Sequence, residues 1–190
     1  MNRDPAGRAA IIAAIMVGAG ALLSGLLNFF MLISNVPAIP RSYFLQDPIG
    51  WALTPRFRPM AVVAMFVALL LLVGLTWLFV RMVVRTALPG RAAAVFFGAW
   101  GAIIVAGWIS GLVRMPLMMA VLRIPTDRIE SFGPQLLQFS TVGATWALGW
   151  GWVTALVIAM VHRSSGARIV RPVAHPSAGY PTAGPWSPGM

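Results

Sequence analysis

The charged residues between positions 114 and 130 are the ones whose types could support catalysis. Arg114 and Arg128 could bind a phosphate group, and Asp127 or Glu130 could act as a general base. No nucleophile motif accompanies them, and the alternative is a solvated loop held by local ion pairs. We favour the loop interpretation, so the sequence predicts no catalytic residue.

Most metal and haem chemistry would need histidine or cysteine. The chain has no cysteine, which excludes disulfides, thiolate catalysis, iron–sulfur clusters and Cys-type zinc sites. Its two histidines are His162, at the end of an apolar stretch, and His175, in the C-terminal segment. They do not supply two axial ligands facing one cavity, and the sequence carries no phosphate loop, dinucleotide fingerprint or metalloprotease helix. We therefore predict no metal and no cofactor.

Tryptophans are frequent in the last two apolar stretches. Trp146 and Trp150 lie one helical turn apart, and rings at that spacing could pack a quinone, a carotenoid or a lipid tail. They could equally pack against another subunit. Packing is the interpretation we favour as the default, although tryptophan in membrane helices normally marks the bilayer interface.

Four apolar stretches must position these residues. The chain is 59% hydrophobic and only 9% charged, whereas a soluble domain carries about a quarter charged residues. A membrane helix needs about 20 mainly apolar residues, and stretches of that length occupy positions 9–33, 61–80, 92–113 and 140–161. The sequence predicts an all-α integral membrane protein with four transmembrane helices in residues 1–163.

Polar residues within these spans are few. No acid or base falls inside the predicted boundaries, which disfavours proton- or sodium-coupled transport. Asn28 is the most polar residue of the first span. It could line a pore or bond a neighbouring helix, and we favour the helix contact because Ser24 lies one turn before it.

The arginines predict the orientation of the spans. Eight of them lie in the N-terminus, the second loop and the tail, and six lie in the first and third loops. The second loop is short and carries Arg81, Arg85 and Arg91, so we predict a plasma-membrane protein with both termini in the cytoplasm. The absence of lysine suggests GC-rich coding and a bacterial source. Because the arginines flank apolar stretches, we predict contact with lipid headgroups and none with nucleic acid.

The segments between the spans differ in length. Positions 34–59 and 114–139 are predicted as outer loops of about 25 residues, with a short interfacial helix at Leu117 to Leu122. Residues 164–190 are rich in proline, glycine and serine and cannot bury enough apolar surface to offset the entropy of ordering. We predict a disordered cytoplasmic tail there.

Small residues recur every four positions in the third and fourth spans, and such rows let membrane helices approach closely. We therefore predict that these two helices form the tightest pair. The row in the third span is Ala94, Gly98, Ala102, Ala106 and Ser110, and the row in the fourth is Gly143, Ala147, Gly151, Ala155 and Ala159.

Short motifs repeat between the first and third spans. The tetrapeptide at positions 7–10 returns at 90–93, and Ser24-Gly25-Leu26 returns as Ser110-Gly111-Leu112. The order of the matches would suit two duplicated helix hairpins, 2+2, related by an axis normal to the membrane. Chance matches in a biased composition are the alternative.

The sequence favours a non-catalytic, multi-pass membrane subunit or accessory protein of a larger complex. Its expected partners are membrane lipids and other membrane protein subunits or further copies of itself. The main alternative is a small transporter or channel for an uncharged solute or lipid. A third hypothesis is a lipid-processing enzyme that uses Asp127 or Glu130 at the outer surface.

Overall fold

The computed structural model describes residues 4–34, 59–88, 91–122 and 129–167. Within these ranges the regular elements are four α-helices: α1 Pro5–Ser34, α2 Pro59–Thr86, α3 Ala92–Leu122 and α4 Ile129–Ala167. Each contains a stretch that is long and apolar enough to cross a membrane. The protein is an all-α, multi-pass membrane protein, which confirms the predicted fold class.

The four helices form a ring in which neighbours run antiparallel. The start of α1 lies beside the end of α2, since Asp4 contacts Arg81 and Arg85. Contacts of α2 with α3 and of α3 with α4 follow the same antiparallel order, and α4 closes the ring against α1. The contact between α3 and α4 is the most extensive in the described part of the chain and that between α1 and α4 is the least extensive of the four neighbouring pairs.

The start of α1 has a well-formed cap. The Oδ1 atom of Asp4 accepts a hydrogen bond from the Ala6 amide at 3.1 Å, which satisfies one of the amides that a helix leaves unpaired at its start. Pro5 follows at the first helical position, where its missing N–H costs nothing. This cap fixes the beginning of α1 next to the arginines at the end of α2.

The structure corrects the predicted third loop. That loop was expected to run from Arg114 to Phe139, but α3 continues to Leu122 and α4 already begins at Ile129. The 39 residues of α4 make a helix of about 58 Å, against about 30 Å for the hydrocarbon core of a bilayer. A charged residue ends an apolar run but need not end a helix. The predicted interfacial helix is accordingly the last part of α3.

Two further predictions fall partly or wholly outside the described residues. The predicted tail began at residue 164, whereas α4 continues to Ala167, and residues 168–190 lie outside the described part. The first outer loop lies almost entirely outside it as well. The proposed duplication of two hairpins stays a prediction.

The core of the bundle is built from small side chains. At the end where α1 begins, buried alanines of α1 pack against Val80, Val95 and Ile158 of the other three helices. A second cluster nearer the middle joins Val17, Leu72, Ile103, Trp146 and others. Small side chains bring the helix backbones close together, which is how helices associate where lipid surrounds them.

Candidate binding cavity between the first and fourth helices

A cavity of about 250 Å³ lies in the seam between α1 and α4. It extends along the middle of both candidate spans, Pro5–Met31 and Ser140–Ser164. Its described lining residues belong to these two helices: Met16, Gly20, Leu23, Ser24, Leu27, Trp146, Trp150, Val153 and Thr154.

The cavity is mostly apolar, with three buried residues at its base and four exposed residues at its rim. Ser24, Trp146 and Thr154 are buried, and each carries a group that can form a hydrogen bond. Leu23, Leu27, Trp150 and Val153 are exposed at the mouth. None of the described lining residues is charged, so the site is suited to an uncharged, mainly apolar ligand.

The local sequence of α1 creates this space. Gly20 has no side chain, and a Cβ built there would lie 3.5 Å from the Trp146 ring, in ordinary van der Waals contact. The next residue on that face, one turn later, is the small Ser24. Two small residues one turn apart leave a gap beside a large aromatic ring.

The indole of Trp146 is the most unusual group of the cavity. Its side chain is almost fully buried, and its Nε1–H has no hydrogen-bond partner among the described residues. By contrast, the Nε1–H of Trp100 donates to the Ala147 carbonyl at 3.2 Å and that of Trp152 donates to the Gly149 carbonyl at 3.0 Å. Buried indole N–H groups usually have an acceptor, but this nitrogen has almost no accessible surface, so the ring and not its N–H faces the cavity.

The three predicted packing residues of α4 lie on its buried face. A Cβ at Gly143 would overlap the Gly107 carbonyl, and a Cβ at Gly107 would lie 2.5 Å from the Gly143 oxygen. Ala147 is fully buried. A Cβ at Gly151 would lie 3.1 Å from the Ile103 Cγ2 atom. At Gly143 and Gly107, α3 and α4 touch backbone to backbone.

The predicted packing residues of α3 do not all face α4. A Cβ at Gly98 would lie 2.8 Å from the Val83 Cγ1 atom of α2. Ala102 is partly buried, and Ala106 is buried in the cluster that includes Ala147. The contact residue that the four-residue spacing missed is Gly107, which lies next to the row and not in it.

Asn28, the predicted polar contact, is half-buried in α1. It lies one turn beyond Ser24 but does not line the cavity. The Ser110 hydroxyl does join two helices, because it donates to the Ala68 carbonyl at 2.7 Å and links α3 to α2.

The end of the bundle where α1 begins is strongly basic, and we call it the arginine end. Its described cationic residues are Arg8, Arg81, Arg85, Arg91 and Arg163.

One acid sits among these arginines. The carboxylate of Asp4 lies 3.5 Å from Arg81 and 3.3 Å from Arg85. Desolvation, the largest single effect, raises the pKa of the Asp4 carboxyl, but hydrogen bonds from the Ala6 amide, Arg85 and the Gly7 amide together hold it below its usual value.

The opposite end contains Arg114, which is only 4% exposed. We expected no charged residue inside a span, but Arg114 lies within the candidate span Ala92–Leu117 because α3 continues past it. Of the residues considered for catalysis, Asp127 and Arg128 lie outside the described residues, as does the side chain of Glu130.

The described residues contain no group of histidines and acids that could hold a metal ion. His162 lies near the arginine end of α4, and His175 lies outside the described residues. Comparison of the chain with protein-family models, with curated proteins and with solved structures finds no match.

Proposed function

We propose that this chain is a non-catalytic, multi-pass subunit or accessory protein of a larger membrane complex, and that α4 contacts the partner. The proposed contact surface is a row of exposed side chains spaced four residues apart on α4. It consists of Leu148, Trp152, Leu156 and Met160, and we call it the α4 ridge.

The position of Trp152 carries this proposal. It is the middle residue of the candidate span Ser140–Ser164, about 18 Å from either end at the rise of an α-helix. Its side chain is 45% exposed. Tryptophan in lipid-facing positions prefers the bilayer interface, so an outward tryptophan at mid-span favours a protein partner over lipid.

The surroundings of Trp152 suit such a partner. Its indole N–H already bonds the Gly149 carbonyl of the same helix, so the outward surface offers an apolar ring without an unsatisfied donor. Gly149 is exposed beside it and would let a second helix approach closely. Tryptophan is also enriched among the residues that contribute most to protein interfaces.

The arginine end supports an orientation for this proposal. Five described arginines lie there, whereas Arg114 is the one described arginine at the opposite end. By the positive-inside rule we place the arginine end, and with it both termini, in the cytoplasm. A bacterial plasma membrane is the corresponding location that we propose.

Site-specific photo-crosslinking tests the contact surface. A photoreactive amino acid at position 152, irradiated in native membranes, should yield an adduct with another membrane protein. The matched control is position 70 in α2, where Leu70 is 68% exposed and also lies near mid-span, and it should yield lipid adducts only. Equal protein crosslinking at both positions, or none at 152, would contradict the proposal. An adduct with a second copy of this chain would make the complex a homo-oligomer.

The cavity favours a second candidate function, a small transporter or channel for an uncharged solute or lipid. Its uncharged lining and open mouth support lipid or solute entry from the membrane. Purified protein in liposomes that carry a fluorescent lipid in one leaflet should then speed exchange between leaflets. No acceleration over protein-free liposomes would exclude lipid transfer between leaflets.

A further inference from the structure

We propose that the α1–α4 cavity holds one acyl chain of a membrane glycerolipid. The proposal goes beyond the subunit role, because the cavity and the α4 ridge have no residue in common. A bound lipid without transfer between leaflets would support this inference and exclude lipid transfer as the function.

The volume of the cavity fits part of one chain. By proportion to the cavity of about 150 Å³ that binds benzene, 250 Å³ holds roughly ten carbon atoms. Along α1 the lining runs from Met16 to Leu27, a rise of about 16 Å. A single extended acyl segment therefore matches both the volume and the length.

The described lining indicates the chemistry of the ligand. Most of its surface is apolar, and none of its described residues is charged. Such a lining favours an uncharged, apolar group over a lipid headgroup. A hydrocarbon chain is the group of this kind that a bilayer supplies.

The depth of the cavity fits the chain of a lipid and not its headgroup. Trp146 lies six residues inside the span that begins at Ser140, about 9 Å along the helix axis. The cavity therefore lies within the hydrocarbon region, where acyl chains lie.

The rim provides a lateral entrance. Leu23 and Leu27 of α1 and Trp150 and Val153 of α4 are exposed on the two sides of the mouth. In a chain surrounded by lipid, such an opening faces the bilayer. An acyl chain can therefore enter sideways, while its headgroup stays at the membrane surface.

The test uses a phosphatidylcholine with a diazirine in one acyl chain. The full-length protein in liposomes is irradiated, and labelled residues are mapped by mass spectrometry relative to Val105, an exposed residue of α3. Labelling in the cavity should saturate at low mole fraction of the probe, whereas labelling at Val105 should rise in proportion. If cavity labelling also rises in proportion to the mole fraction of the probe, the label comes from ordinary surrounding lipid and the proposal is overturned.

A filled cavity should lose the label. Gly20→Leu places a side chain in the space beside Trp146 and should reduce cavity labelling at least tenfold without changing Val105. The matched control is Gly74→Leu, because a Cβ at Gly74 meets nothing within 4 Å, and it should label as the natural protein does. Unchanged cavity labelling in Gly20→Leu would contradict the inference.

The chemistry of the occupant is tested by competition. Unlabelled phosphatidylcholine should lower cavity labelling in proportion to its excess over the probe. Displacement of the label by a benzoquinone with a ten-carbon chain, where added phosphatidylcholine has no effect, would assign the cavity to a quinone and overturn the lipid proposal.

Discussion

Helix α4 packs differently against its two neighbours, although both contacts use glycine. Against α3, Gly143 meets Gly107 and the two backbones touch. Against α1, Gly20 faces the Trp146 ring at ordinary contact distance and a cavity lies beside it. We call the first contact the closed seam and the second the open seam.

The comparison shows that two opposed glycines let the helix backbones touch, whereas a glycine opposite the Trp146 ring does not. Opposed glycines bring two helices together, which is favourable in lipid because association depends on close packing. A glycine opposite a tryptophan leaves the helices apart and creates space for a ligand. The closed seam therefore holds the bundle together, and the open seam is free for binding.

The largest expected effect is at the closed seam. Gly143→Ala would place a Cβ against the Gly107 carbonyl, and because backbone must move, the free energy of unfolding should fall by about 3 kcal/mol. Unfolding by sodium dodecyl sulfate in mixed micelles measures it. Gly20→Ala in the open seam is the matched control and should change stability by no more than about 1 kcal/mol, in the stabilising direction. A comparable loss in both variants would show that the two seams do not differ.

An intermediate effect is expected at Gly98, where the obstacle is a side chain. A Cβ there would lie 2.8 Å from Val83, so Gly98→Ala should cost about 1 kcal/mol, at the lower end for overpacking. Adding Val83→Ala should remove most of the steric conflict, which a double-mutant cycle would show as a favourable coupling. No coupling would mean that Gly98 does not pack against α2.

A smaller effect is expected for the hydrogen bond between α3 and α2. Ser110→Ala removes the donor to the Ala68 carbonyl and should lower the free energy of unfolding by about 0.6 kcal/mol, as found on average for such bonds between membrane helices. Thermal unfolding in detergent is the measurement. The exposed Ser164, which bonds only within its own helix, provides a matched Ser→Ala control that should have no effect.

The smallest effect concerns the arginine end and depends on pH. The pKa of Asp4 is lowered in the folded protein, so its stabilising contribution is complete above its ordinary value of 3.8 and is lost as pH falls below that value. The melting temperature of the natural protein should therefore fall slightly more between pH 5 and 3 than that of Asp4→Asn. Parallel curves of melting temperature against pH for the two proteins would show that the Asp4 carboxylate contributes nothing to stability.

The packing prediction shows how far a sequence pattern reaches. In an α-helix each residue is rotated by about 100° from the previous one, so a row spaced by four residues turns about 40° at every step. Over the sixteen residues from Ala94 to Ser110 such a row sweeps about 160° and cannot face one neighbour. This is why Gly98 packs against α2 whereas Ala106 is buried in the cluster with Ala147, and why Gly107 was missed.

The cavity could be anticipated only in part. The sequence singled out Trp146 and Trp150 as aromatic rings that could pack a lipid tail or a quinone, and both line the cavity. It offered no sign that Gly20 and Ser24 would face them, because those residues lie more than 120 positions away in the chain. Asn28, the more polar residue of the same helix, does not line the cavity.

The sequence alone determined the solvent and the elements of this protein. A chain that is 59% hydrophobic with four long uncharged stretches must place them in lipid as helices, since only there can every backbone polar group be paired within the segment. The tertiary structure decided which small residues meet and which leave a gap. Which small residues meet depends on the crossing angles of the helices and on their rotation about their own axes. The sequence does not specify these, because glycine and alanine occur on every face of the helices.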